Sequence, residues 1–209
     1  MSERLTVADY ISGRLAREGI TDCFGVAGDF AFKLDDALAR SESIRWIGCS
    51  NELDAAYAAD GYARVRGCSM LCTTYAVGEL SALNGVMGAR AERSCVFHLV
   101  GMPTMRHQRV RKVIHHTLGD GEFQNFANIS ARAACVSAVI TPDNCAHEME
   151  RVIATARAES RPAYVLVASE RSSGDGRTSR RDSPWPTSAS MRCTEMARAP
   201  KPNHTTYSA

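Results

Sequence analysis

The chain has 209 residues, of which 44% are apolar and 23% charged, an ordinary composition for a folded domain with one sizeable core. Its 25 basic and 23 acidic side chains give a net charge of +2. Proteins that bind polyanions generally carry a larger basic excess, so we expect no nucleic acid partner. No segment approaches the roughly 18 apolar residues of a membrane span, so we expect no membrane partner either.

The first residues, Met-Ser-Glu-Arg, contain an acid and lead into polar residues, which is not the pattern of a secretory leader. We therefore expect a cytoplasmic, reducing location, in which the eight cysteines serve as small apolar residues. No two of them have the Cys-x-x-Cys spacing, so neither a zinc knuckle nor a redox motif is predicted.

The composition changes near residue 170. Residues 170–209 contain no Val, Ile, Leu or Phe, and they hold four of the seven prolines. A segment without branched aliphatic side chains cannot bury enough surface to offset its chain entropy. We therefore predict a folded domain over residues 1–169, followed by a disordered tail or, alternatively, by a segment read in a shifted frame.

Six short apolar runs rich in β-branched or aromatic residues predict strands. Because these runs are nearly uninterrupted, they suit a parallel sheet that is covered on both faces. The runs are Cys23–Ala27, Arg45–Cys49, Ser69–Thr74, Cys95–Val100, Ala133–Ile140 and Ala163–Ala168.

Helical patterns lie between the predicted strands. Thr6 is a predicted N-cap of the first helix, Asn51 is a predicted N-cap of an alanine-rich third helix, and Asp143 or Thr141 begins the last. The buried stripe of the first helix is expected to be Val7, Ile11 and Leu15. Alternation of strands and helices predicts a doubly wound α/β domain with a mainly parallel sheet of about six strands and helices on both faces.

Ligand sites in open α/β sheets lie at the carboxyl ends of the strands. The first strand leads into a Gly-rich turn and Asp29, which from spacing alone is best interpreted as the cap of a helix over 30–40. The second leads into Glu52, in the first turn of the third helix, where the helix dipole favours a carboxylate. Taken singly, both acids are more typical of helix starts than of catalysis.

Adjacent histidines, His115 and His116, follow the fourth strand. Two imidazoles in a loop suit proton transfer near neutral pH. A metal site would need a third ligand, and none is evident nearby in the sequence. His98 lies inside an apolar strand and is expected to be a hydrogen-bonded core residue.

Four segments resemble the N-terminal domain of the thiamine diphosphate-dependent 2-oxo acid decarboxylases, in the branch of the pyruvate and indolepyruvate decarboxylases. Each segment alone is weak evidence for the family, whereas four segments in the same order and with the spacing of the family are specific evidence. The resemblance covers residue 5 to about residue 168. The segments are FGVAGD (24–29), NELDAAYAADGYAR (51–64), TTYAVGELSA (73–82) and HHTLGDGEF (115–123).

The resemblance implies a pyrimidine-binding domain, in an enzyme whose middle and C-terminal domains complete the active site. It assigns Glu52 to the carboxyl group that binds the pyrimidine ring, and Asp29, His115 and His116 to proton relay. It also assigns Gly28, Thr74 and Val77 to the wall of the pyrimidine pocket.

The Mg²⁺ motif of the family is Gly-Asp-Gly followed at a distance by Asn. Residues 119–121 with Asn144 belong to the histidine loop, and residues 174–176 with Asn203 lie in the segment without aliphatic residues. We therefore predict no metal ligands in this chain and expect the Mg²⁺ ligands in the C-terminal domain that the resemblance implies.

The resulting hypothesis is a homo-oligomeric decarboxylase that converts pyruvate or indolepyruvate to an aldehyde and CO₂. The present chain would carry half of each site and be inactive alone. An alternative is a non-enzymatic module that pairs with a full-length homologue through helix 51–64. A third, a nucleotide-binding flavodoxin-like domain, ranks last because no Gly-rich phosphate loop carries a basic residue.

Overall fold

The structure of the chain is a computed structural model that describes residues 6–168, so the predicted tail lies outside the described residues. Six strands alternate with seven α-helices, and a short 3₁₀ helix spans Ala131–Ala133. The strands are β1 (Asp22–Gly25), β2 (Arg45–Gly48), β3 (Cys68–Thr74), β4 (Cys95–Met102), β5 (Val136–Ile140) and β6 (Ala163–Ala168). The helices are α1 (Val7–Ala16), α2 (Phe32–Arg40), α3 (Glu52–Arg66), α4 (Val77–Ala91), α5 (Met105–Arg109), α6 (Asn125–Ser130) and α7 (Cys145–Glu159).

The six strands form one sheet in the order β2-β1-β3-β4-β6-β5, and every neighbouring pair is parallel. At the centre of one half, Phe24 is paired with Ile47 on one side and Leu71 on the other. The chain runs from β1 outward to β2 and then back past β1 to β3. The connections after β1 and β3 therefore run in opposite directions. The carboxyl ends of these two strands form the switch point at which such sheets bind ligands.

Alternate side chains of the central strands supply a core layer on each face of the sheet. Met70 on β3 packs in the layer that contains residues of α1, α2 and α7. Its neighbour Leu71 packs in the layer that contains alanines of α3 and α4. Every residue of β3 and of β4 is buried, as a strand covered on both faces requires. The predicted doubly wound α/β architecture is confirmed.

Two predicted helix starts are confirmed by their hydrogen bonds. Thr6 Oγ1 accepts from the backbone N–H of Asp9 at 3.1 Å, and the Asp9 carboxylate accepts from the backbone N–H of Thr6 at 3.0 Å. Asn51 Oδ1 accepts from the backbone N–H of Asp54 at 2.9 Å. Each cap stabilises its helix by about 1 kcal/mol. The cap at Asn51 fixes the start of α3, and with it the position of Glu52.

Several predicted boundaries differ from the structure by one to three residues, and two of the differences have a clear local cause. The fifth strand begins at Val136 rather than Ala133, because the chain before it forms the 3₁₀ helix. The last helix is preceded by Asn144, not by Asp143 or Thr141. The amide oxygen of Asn144 accepts from the backbone N–H of Thr141 at 2.8 Å, which closes the turn before the helix.

The seven cysteines within residues 6–168 are unpaired thiols, and five of them are buried. Burial raises the pKa of Cys95 and of Cys145 to about 12. These thiols therefore act as small apolar groups, as the sequence predicts. Within the same residues, no helix combines the length and the apolar character needed to span a bilayer.

Candidate active site

The loop after β1 lies against the end of β3, at the switch point of the sheet. Gly28 is so close to Thr74 that an added Cβ would come within 2.8 Å of Thr74 Cγ2. The N–H of Gly28 donates to the buried carboxyl of Asp35 on α2 at 3.2 Å, and the Cys72 thiol donates to the same carboxyl at 3.3 Å. Burial raises the pKa of Asp35. Asp35 therefore anchors the turn that presents Asp29.

The Asp29 carboxylate reaches the histidine loop instead of capping the next helix. The helix α2 begins at Phe32, and its N-cap residue, Ala31, makes no side-chain capping bond. The interpretation of Asp29 as a helix cap was therefore wrong. His115 Nε2 is hydrogen-bonded to Asp29 Oδ2, and His116 Nδ1 lies 3.6 Å from Asp29 Oδ1.

The surroundings of Asp29 favour its ionised form. Burial on its own would raise the pKa of this carboxyl group, but the hydrogen bonds from His115 and the Phe30 backbone, with the two imidazoles, lower the pKa overall. An ionised carboxylate only accepts, so the ring nitrogen of His115 donates in this pair. Phe30 also stacks on the His115 ring with a centroid distance of 4.9 Å, while His116 meets His115 edge-on at 4.7 Å.

The contact with Asp29 brings a third potential ligand to the two histidines, although none lies near them in the sequence. One ligand atom each from Asp29, His115 and His116 all lie within 4.8 Å of one another. Asp29 is 86 residues from His115 along the chain. Because the sheet brings these residues together, no local spacing in the sequence could indicate the group.

Glu52 is the first residue of α3, and its partly exposed carboxylate lies beside the start of α4. Its Oε1 is 3.2 Å from the position that a Cβ on Gly78 would occupy, and that position is 3.1 Å from Thr74 Cγ2. Within residues 6–168, no hydrogen bond or ion pair holds this carboxylate. Contacts through Gly78, Thr74 and Gly28 thus connect Glu52 with the turn that carries Asp29.

The turn between β3 and α4 is held in an unusual conformation by a buried acid. Ala76 has φ 57° and ψ −88°, which costs a residue with a side chain about 1–3 kcal/mol. The N–H of Ala76 donates to Glu79 at 2.9 Å, and the hydroxyls of Ser130 and Tyr164 donate to the same carboxyl at 2.7 and 2.5 Å. Burial raises the pKa of Glu79, although these hydrogen bonds oppose the shift.

Thr74 and Val77, two further predicted pocket residues, flank the same turn and differ in their exposure. Thr74 is buried, and its Oγ1 has no hydrogen-bond partner within residues 6–168. Val77 is 54% exposed at the start of α4. A buried polar atom without a partner is uncommon, and an exposed valine beside it leaves an apolar surface open to a ligand.

Sequence reasoning did not identify Phe30, Asp35 or Glu79 as parts of this site. Glu79 lies at the third position of α4 within a mainly apolar segment, where an acid that accepts from the turn backbone is a recognisable capping signal. Asp35 gives a weaker signal, an acid on the buried stripe of a helix. The position of Phe30 beside the histidine loop depends on the assembled sheet.

The fold and the residue cluster define a class: an open parallel α/β domain with unpartnered polar groups at the switch point. Residues 5–129 match the model of the thiamine pyrophosphate enzyme, N-terminal TPP binding domain. The chain therefore belongs to this family, and the predicted resemblance is confirmed.

Curated relatives carry the name alpha-keto-acid decarboxylase. The proteins of Mycobacterium tuberculosis (strain H37Rv) and Mycobacterium avium (strain 104) are each 44% identical to this chain over 165 residues. The matched region is 79% of this chain, but 30% and 29% of those proteins, respectively. The chain thus spans less than a third of their length.

Proposed function

We propose that this chain supplies the pyrimidine-binding half of the active site of a thiamine diphosphate-dependent 2-oxo acid decarboxylase. The observation that carries the proposal is the Glu52 carboxylate, which has no partner within residues 6–168 and lies beside Gly78 at the switch point. Similarity to alpha-keto-acid decarboxylases supports the reaction class. Pyruvate or indolepyruvate is the proposed substrate.

The residues present fit an aminopyrimidine. Such a ring needs hydrogen-bond partners at its edge and narrow walls at its faces. In the described part of the chain, the Glu52 carboxylate and the Thr74 hydroxyl are both without a partner, and their side chains lie on either side of Gly78. Gly28 and Gly78 carry no Cβ where one would press against Thr74. We assign Glu52 to hold a proton against the ring nitrogen, and Gly28, Thr74 and Val77 to the pocket wall.

Asp29, His115 and His116 form the group that we propose to transfer a second proton, the one that is added to the substrate carbon after CO₂ leaves. A 2-oxo acid that loses CO₂ must gain a proton at its former carbonyl carbon to leave as an aldehyde. When bound, thiamine diphosphate supplies the electron sink for that loss. Hydrogen-bonded to Asp29, the imidazole of His115 holds a proton at Nε2, and His116 lies beside it. These three residues are our proposed proton relay.

We further propose that Mg²⁺ and the diphosphate are bound by residues outside this chain. The Gly119–Gly121 turn resembles part of a Mg²⁺ motif, but Asp120 uses its carboxylate to accept from the backbone N–H of Glu122 at 2.9 Å. That local bond closes the histidine loop. The unpaired buried thiols support a reducing, cytoplasmic location.

The proposal is tested by the binding of thiamine to the full chain. Saturation-transfer NMR should show contact of the pyrimidine protons, with thiamine and thiamine diphosphate behaving alike because the diphosphate contacts lie elsewhere. Glu52→Gln should abolish the transfer, whereas Asp54→Asn, in the same helical turn, should retain it. Equal transfer in both variants would contradict the pyrimidine site. Rapid aldehyde formation from pyruvate by the pure chain would contradict the half-site.

A second candidate function is a module that pairs with a full-length homologue. Five large apolar side chains on α3 and α4 are exposed, with Val65 83% and Tyr57 51% accessible. Such a face is typical of an interaction surface. Co-purification of the chain with a full-length relative, lost in Val65→Lys, would support the module. A monomeric chain that leaves the relative's elution unchanged would contradict it.

The nucleotide-binding alternative is disfavoured by the loop after β1. A phosphate loop presents free backbone N–H groups to its ligand. Here the N–H of Gly28 donates to the Asp35 carboxyl at 3.2 Å. The Asp35 carboxyl group at that position would repel a phosphate, so the loop after β1 is unsuited to phosphate binding.

A further inference from the structure

The Asp29, His115 and His116 group has the composition of a metal site as well as of a proton relay. Within residues 6–168 it is the group of three potential ligands whose donor atoms converge, all within 4.8 Å of one another. Two imidazole nitrogens and one carboxylate oxygen form a donor set that suits zinc and neighbouring transition metals. Mg²⁺ and Ca²⁺ prefer oxygen ligands.

The distances permit one ion to bind all three side chains. Two ligands at about 2.0–2.1 Å from the same ion lie at most about 4.2 Å apart. The three donor atoms therefore need only small side-chain rotations from their present separation. The side chains of Asp29 and His115 are 36% and 61% exposed, so such rotations disturb no core packing.

A second observation points to the same ligand. His116 Nδ1 is buried, and it makes no hydrogen bond within residues 6–168 although Asp29 Oδ1 is 3.6 Å away. His116 also has a positive φ of 57°, which holds its ring beside that of His115. The nitrogen faces the carboxylate at a distance too long for a direct bond, and a metal ion between the two would satisfy both.

We propose that Asp29, His115 and His116 bind a divalent transition-metal ion, with Zn²⁺ as the probe. Coordination uses the lone pairs of His115 Nε2, His116 Nδ1 and an Asp29 oxygen, so the proton now on His115 Nε2 leaves to solvent and the ring keeps, or takes up from solvent, a proton at Nδ1. Water completes the coordination, because the group is open to solvent. An ion held there would block the proton relay, because it occupies the same nitrogen and oxygen atoms. This consequence rests on the proposed function.

Calorimetric titration of the full chain with Zn²⁺ tests the site, with Mg²⁺ as the comparison. One Zn²⁺ should bind, with no comparable binding of Mg²⁺. Loss of a residue that only orients a ligand weakens metal affinity about 10–100-fold, so His115→Ala, His116→Ala and Asp29→Ala should each weaken Zn²⁺ at least tenfold. His147→Ala, which removes an exposed histidine that pairs with Glu148, should bind as the parent does.

Replacing Zn²⁺ with Co²⁺ distinguishes metal binding at this site from metal binding at the cysteine thiols. A Co²⁺ spectrum without thiolate charge-transfer bands is expected, because the proposed ligands are nitrogen and oxygen. Thiolate bands, or Zn²⁺ affinity lost in His204→Ala or His147→Ala but retained in His115→Ala, would overturn the proposal. Histidine NMR of the parent chain avoids the need for folded variants, since Zn²⁺ should shift His115 and His116 and leave His98 unchanged. None of these readouts depends on thiamine binding.

Discussion

Gly28 and Thr74 are in direct contact across the carboxyl ends of β1 and β3, and this contact joins the two halves of the candidate site. An added Cβ on Gly28 would come within 2.8 Å of Thr74 Cγ2 and 3.0 Å of Thr74 Oγ1. The proton-relay group continues from Gly28 through Asp29. The pyrimidine group continues from Thr74 through Gly78 to Glu52. The separation of the two groups is therefore set by the contact of the Gly28 backbone with the Thr74 side chain.

We expect Gly28→Ala to destabilise the domain and to reduce thiamine contact. Overpacking of this kind costs about 1–3 kcal/mol, because Thr74 or the loop must move. Urea unfolding measures the loss of stability, and saturation-transfer NMR measures the loss of thiamine contact. Gly13→Ala is the control, since a Cβ there meets nothing within 4 Å. Unchanged stability of Gly28→Ala would show that the contact tolerates a side chain.

Glu52 should contribute to ligand binding and little to folding. Its carboxylate has no partner within residues 6–168, so Glu52→Gln removes no internal bond. We expect its unfolding free energy to stay within about 0.5 kcal/mol of that of Asp54→Asn, because both changes remove one negative charge from the first turn of α3. Urea unfolding of the two variants checks this. A much less stable Glu52→Gln would indicate a structural role.

The fold was predictable because it depends on local patterns. Six apolar runs and the caps at Thr6 and Asn51 specify the elements, and parallel pairing follows from uninterrupted burial. The site was predictable only in part. The resemblance to a family supplied the proposed roles of Glu52 and Asp29, whereas spacing alone favoured a helix cap for Asp29 and an acid of the first helical turn for Glu52.

The spacing of residues in the sequence could not predict the contacts between distant segments. The pairing of Asp29 with His115 arises from loops that follow β1 and β4, strands that are separated in the sheet by β3. Likewise Glu79 meets Tyr164 across 85 residues of sequence. Such contacts depend on strand order, which a pattern of short apolar runs does not determine.

Glu79 is expected to be a major determinant of stability. Replacement by Ala removes the acceptor for three donors, from Ala76, Ser130 and Tyr164. A buried donor left without a partner costs about 1–3 kcal/mol, so we expect Glu79→Ala to lose several kcal/mol. Glu92→Gln, at the exposed end of the same helix, should change stability by less than about 0.5 kcal/mol. Equal unfolding midpoints in urea would refute this role.

Glu79 should also make stability depend on pH. Burial raises its pKa in the folded state above the ordinary value of 4.5. The folded chain then binds more protons than the unfolded chain, so this contribution is complete below pH 4.5 and is lost as pH rises through the raised pKa. Glu79→Gln lacks this group. The stability difference between parent and Glu79→Gln should therefore move against the parent as pH rises over that interval, and a pH-independent difference would contradict the shift.

His98 should have the opposite pH dependence. Its ring is buried in β4, with Nε2 2.9 Å from the hydroxyl of Thr73, and burial lowers its pKa to about 3. The unfolded chain takes up a proton below the ordinary value of 6.5, while the folded chain does not. The stability contributed by neutral His98 is therefore complete above pH 6.5 and is lost as pH falls towards 3.

Two measurements check the titration of His98. By NMR its imidazole should remain neutral well below pH 6.5, the ordinary pKa of histidine. His98→Gln should show a weaker loss of stability on acidification than the parent, because glutamine takes up no proton and still reaches Thr73. An imidazole of His98 that takes up its proton near pH 6.5 would mean that water reaches the ring.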